Sequence, residues 1–206
     1  MANADTPFGL KWIGSTLGGS VNPSVVACYT VAGYGTALFV GDPVVVVAAG
    51  SNAAREERIG GSFEIGTMPI VERATVTDTG LFSGVVVGVA PTNQDSPTYS
   101  PASTEGVVYV CMDPFAEYMI QADGAVPAAS VGLNAVGIDT HAGNTTTGLS
   151  GMELDTTSDA PAIDGSNTLT IIRLVNAPDN ETNAIHNKVI VRINQSTAVT
   201  LAVDGL

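Results

Sequence analysis

Short apolar runs rich in β-branched residues, separated by Gly, Pro, Asn and Asp, alternate along most of this chain. The segment Tyr34–Val47 shows the pattern in miniature: two apolar runs flank Gly41-Asp42-Pro43. Proline fixes its own φ and disfavours helix at the residue before it, and glycine admits backbone angles that other residues resist. The segment therefore predicts strand, tight connection, strand. The same grammar predicts strands over 24–31, 36–40, 44–48, 68–76, 82–90, 106–112, 115–121, 168–175 and 188–194. In the last of these, Val189, Val191 and Ile193 share one face. Residues 106–112 are apolar on both faces and predict a central strand covered on both sides.

No window carries a sustained helical stripe, and no repeat of fixed period is present. The expected fold is all-β, an antiparallel β-sandwich or barrel with long loops and an extended N-terminal arm. Residues 1–23 make that arm, with Phe8, Leu10, Trp12 and Ile13 as spaced apolar anchors that would lie across another surface. Residues 24–206 form the β domain, and the weakly patterned stretch 123–166 reads as an excursion or subdomain. Ser51–Gly61, which holds Arg55, Glu56, Glu57 and Arg58, reads as a loop or a single helical turn.

Composition sharpens the picture. Glycine (23) and proline (11) favour turns, and 206 residues suffice for a core without a metal or disulfide. Charged residues are only 13% of the chain, so much of the surface is open to cover by a protein partner. The net charge of −13 repels phosphate backbones and anionic lipid, which argues against nucleic acid or a membrane as direct partner. No apolar run approaches the ~20 residues that span a bilayer. The N-terminus lacks a basic region followed by an apolar stretch, so synthesis in a cytoplasm is expected. Cys28 and Cys111 read as two buried thiols, with nothing in their spacing to favour a disulfide.

The search for reactive chemistry returns little. Neither Cys-x-x-Cys nor His-Glu-x-x-His occurs, and there is no third histidine to complete a zinc set. Asp155, Asp159 and Asp164 miss the alternating ligand spacing of a calcium loop. Gly-x-Ser-x-Gly is absent. Asp139 and His141 would share a strand face, yet a surface histidine is the simpler reading. Glu56 and Glu57 would diverge on a strand, and no glycine loop carries a phosphate-binding lysine. The expectation is a non-enzyme with no cofactor and no metal.

Several blocks give the chain a resemblance. They are Asn3-Ala-Asp-Thr-Pro-Phe-Gly-Leu10, Tyr34–Val44, Gly84-Val-Val-Val-Gly-Val89 and Val108-Tyr-Val-Cys-Met-Asp-Pro114. Val131–Ala135, Ser150–Asp155, Pro178–Glu181 and Val191–Asn194 extend it over nearly the whole length. In these blocks the chain resembles a family of tailed-bacteriophage virion structural proteins, of the capsid decoration (cement) type. The resemblance implies a subunit on the capsid exterior, a homotrimer that bridges capsomers of the major capsid protein. It implies no catalytic residues. Another virion component, a tail-tube or fibre-base subunit, is the alternative. A β-fold carbohydrate-active enzyme fits less well, because aromatics are only 5% and Trp12 is the single tryptophan.

Overall fold

The β-branched runs build two packed units in the computed structural model, which describes residues 3–16, 22–47, 68–75, 81–194 and 196. In chain order the strands are β1 (Lys11–Ser15), β2 (Val25–Thr30), β3 (Pro43–Val47), β4 (Ile70–Arg73), β5 (Gly84–Val89) and β6 (Gly106–Cys111). They continue with β7 (Ala116–Gln121), β8 (Asn134–Ala135), β9 (Gly137–Ile138), β10 (Glu153–Leu154), β11 (Leu169–Leu174) and β12 (Lys188–Ile193). A single 3-10 turn, Ala128–Ser130, is the sole helical element among the described residues. No helix among them is long and apolar enough to cross a membrane.

Strands β2, β4, β3, β5 and β6 close into a barrel, which removes the exposed sheet edges that invite unwanted pairing. Its pairings are antiparallel except for β2 with β4, which meet in parallel at Tyr29 and Ile70. Cys28, Leu38, Val44, Val71, Val86, Val108 and Val110 fill one cluster. Strands β1, β7, β12, β11 and β8 form an antiparallel sheet in that order. Tyr118, Ile120, Leu169, Ile171, Val189, Val191 and Ile193 from this sheet meet Phe82, Val85 and Cys111 in a second cluster. Strand alternation explains how β5 serves both: Val85 joins the sheet-side core and Val86 the barrel cluster. Each such fully buried Val, Leu or Ile stabilises the fold by roughly 1.5–3 kcal/mol relative to exposure.

The all-β expectation holds, as both a closed barrel and an open sheet. Several particulars differ. Residues 36–40 make no continuous strand: Leu38 bridges Ser100 and Val40 bridges Leu149. The cause lies in the turn that follows. Asp42 is fully buried, and its Oδ2 accepts the Phe39 N–H at 2.8 Å while its own N–H donates to the Phe39 carbonyl. The chain is thereby bent at the Gly41-Asp42-Pro43 sequence, and β3 pairs with β4 and β5 instead. Strand β6 is central, between β2 and β5, but Tyr109 on it is 41% exposed, so its outer face is not fully covered.

The N-terminal arm, expected to lie across another surface, is built into this molecule over the described residues 3–16. Residues 11–15 are the edge strand of the sheet, paired with β7, and Leu10 is 1% exposed within the sheet-side core. Residues 123–166 are an excursion with short strands, yet Val126, Ala135, Met152 and Leu154 pack into that same core. The expected loop Ser51–Gly61 lies outside the described residues. Both cysteines are free and buried. Cys28 faces Val108 across the β2–β6 ladder and Cys111 faces Val25, so they occupy distant rungs and belong to different clusters.

Candidate functional site: a groove along the N-terminal segment

Residues 3–10 run along the molecule outside any strand, and polar contacts hold them at intervals. Asn3 donates through Nδ2 to the carbonyls of Glu181 (3.0 Å) and Ile185 (3.1 Å), and its Oδ1 accepts the Glu181 N–H at 2.7 Å. The Thr6 N–H donates to Oε1 of Gln121 at 3.1 Å. Further on, Gly9 (φ +69°) passes against Gly41 (φ +96°). A Cβ on Gly41 would stand 2.7 Å from the Phe8 carbonyl oxygen, and one on Gly9 2.5 Å from Cβ of Ser150. Only glycine suits both the dihedral and the space. The Leu10 N–H then donates to the Gly41 carbonyl at 2.9 Å and leads into β1.

The segment walls a groove of about 1070 Å³ whose apolar lining includes Pro7, Phe8, Trp12, Val87, Met119 and Leu149. Asp5, Asp179 and Lys188 also border it. Of the four residues predicted to touch a partner, Phe8 and Trp12 line the groove and are partly buried. Leu10 borders it but belongs to the core, so it is unavailable as a free anchor. Ile13 is partly buried at the bulge where the β1–β7 register shifts between Trp12 and Gly14.

A polar cluster, buried at Gln121 and Glu153 and exposed at Asp5 and His141, adjoins the same segment. Gln121, fully buried at the end of β7, directs Nε2 to Asp5 Oδ1 (3.2 Å) and Glu153 Oε1 (3.4 Å). Glu153 on β10 is 4% exposed, and its Oε2 lies 3.0 Å from Nδ1 of His141. Nδ1 of His186 is 3.8 Å from Asp5 Oδ1. Burial raises the Glu153 pKa above its ordinary value, and the Asp5 carboxylate raises it further, against the lowering effect of the two imidazoles. Asp5, Glu153 and His186 place one ligand atom each within 4.8 Å of one another, a group that could hold a metal ion.

Sequence spacing does not reveal this cluster, because its members come from five separate segments. His141 lies beyond β9, beside Glu153. In the acidic run without calcium-loop spacing, Asp155 and Asp164 use their carboxylates on their own turns. Asp155 Oδ1 accepts the N–H groups of Thr157, Ser158 and Asp159, and Asp164 Oδ1 accepts from Ser166.

No family model, curated protein or solved structure matches this chain.

Proposed function

We propose that this protein is a phage capsid decoration protein that binds the outside of the assembled major-capsid shell, bridges capsomers as a homotrimer and stabilises the head. The observation that carries this reading is the groove: Phe8 and Trp12 present partly exposed aromatic surface on a concave apolar wall, the form that anchoring contacts take at protein interfaces. The virion-protein resemblance over nearly the full length supports it. So does a charge content of 13% with a net charge of −13, which favours protein contact over contact with packaged DNA. The mechanism is mass action: a protein that binds the closed shell and not its dissociated parts shifts the balance toward the shell. Three linked contacts in a trimer leave the surface far more slowly than one.

The test is co-sedimentation of the protein with undecorated shells, followed by heating. Saturable binding and a raised shell-disruption temperature are expected, with Phe8→Ala/Trp12→Ala binding weakened by about tenfold or more, since such anchors contribute ~2 kcal/mol or more when truncated. Localisation to the tail, turnover of a carbohydrate, or unchanged shell resistance would defeat the reading.

A further inference from the structure

We propose that Asp5, Glu153 and His186 form a divalent transition-metal site of the zinc type, with Gln121 and His141 orienting the two carboxylates. The donor set is the first argument. Two carboxylates and an imidazole from three distant parts of the chain converge within 4.8 Å. Tetrahedral zinc places its ligand atoms roughly 3.3–3.5 Å apart, so an inward movement of about 1 Å completes the set. The remaining position would be open to water.

The second argument is an unmet bonding need. Nδ1 of His186 is sealed from solvent and has no hydrogen-bond partner, although it faces Asp5 Oδ1 at 3.8 Å. A buried nitrogen without a partner is costly, and a metal bond is one way to satisfy it. His186 is held there by a backbone φ of +59°, which non-glycine residues adopt rarely. Support for the ligands is already built. Gln121 spans both carboxylates, and its own amide is fixed by the Thr6 N–H. His141 takes the second oxygen of Glu153. Such outer partners set the orientation and basicity of metal-binding groups.

The third argument is charge. Asp5 and Glu153 bring two negative charges to one place, and Glu153 is 4% exposed. A divalent cation neutralises both. The nitrogen donor distinguishes the ion, because calcium and magnesium favour all-oxygen sets whereas zinc accepts imidazole readily. Binding requires neutral His186 and ionised carboxylates, so any proton on these groups is released to solvent. The inference does not depend on where in a particle the protein sits.

Full-length protein without a polyhistidine tag is dialysed against Zn²⁺, and Co²⁺ serves as the spectroscopic probe. One Zn²⁺ per chain, a visible Co²⁺ absorption band and a rise in unfolding temperature are expected. Glu153→Gln and His186→Asn should each abolish stoichiometric binding; asparagine tolerates the left-handed backbone at 186. His141→Gln should weaken affinity by about tenfold or more while keeping the stoichiometry. Should Glu153→Gln fail to fold, Asp5→Asn at an exposed position carries the same expectation of lost binding. Wild-type protein that holds no more Zn²⁺ than the Glu153→Gln/His186→Asn double variant, or than Asp5→Asn, overturns the proposal. Displacement of Zn²⁺ by equimolar Ca²⁺ overturns it as well.

Discussion

The barrel cluster is filled by Cys28, Leu38 and valines, whereas beside the sheet Gln121, Glu153, Asn180 and Asn187 are buried with hydrogen-bond partners. Asn187 shows the difference well: its side chain exchanges two bonds with the backbone of Val126, at 3.1 and 3.0 Å. Asn180 likewise binds the carbonyls of Val175 and Lys188. Apolar packing is non-directional and tolerates many arrangements of similar volume, whereas a buried amide accepts few. The sheet side thus carries the buried amides, while on the barrel the buried polar bonds are made by the smaller Thr30, Ser83 and Asp42. Groove and polar cluster both adjoin the sheet side.

This contrast can be broken most forcefully where the two units meet. Asp42 binds Ser150 Oγ at 2.6 Å and lies 3.3 Å from an Arg73 guanidinium nitrogen on β4. Asp42→Ala leaves that arginine charge and the Phe39 N–H without their partner, and a loss of about 3–5 kcal/mol is expected in urea unfolding. A loss below 1 kcal/mol would mean the junction is not fixed by this carboxylate.

Next in size is Leu10→Ala. A core position predicts a loss of about 2–5 kcal/mol, and a detached arm predicts almost none. The same denaturation measurement separates them. A pH series then probes the barrel. Burial pushes the Cys28 thiol up from 9.0 to about 11, so the folded state keeps its proton where the unfolded state has begun to lose it. Stability from this source is full below pH 9 and falls as pH rises from 9 through about 11. Cys28→Ala should flatten that limb, and an unchanged slope would refute the assignment. The smallest effect is expected at Arg173→Ala. Its 2.8 Å contact with Glu117 lies on a half-exposed side chain, so less than about 1 kcal/mol should be lost.

Much of the fold was legible in the residues alone, for a physical reason. Strand periodicity is local, and the shared face of Val189, Val191 and Ile193 could be read from three alternating positions and is found buried. Residues 36–40 misled because their β-branched and aromatic content signals extended chain but not which neighbour will bond it; the buried Asp42 carboxylate decides that. Leu10 misled for a related reason. A lone apolar residue in a polar stretch looks the same whether it anchors to a partner or to its own core. The Asp5–Glu153–His186 cluster was not legible at all. It depends on tertiary approach between segments that carry no mutual spacing, and single residues of each type look ordinary.

The clamp at Asn3 ties a residue near the beginning of the sequence to the backbone of residues 181 and 185, and β1 must find β7 across about a hundred positions. Loop closure of that span costs entropy before any contact repays it, so topologies of this kind assemble slowly. On a ribosome, the first strand would emerge long before its neighbours and would wait unpaired until β7 appears. The Asn3 clamp, which must wait for residues 181 and 185, is therefore expected to be among the last contacts to form.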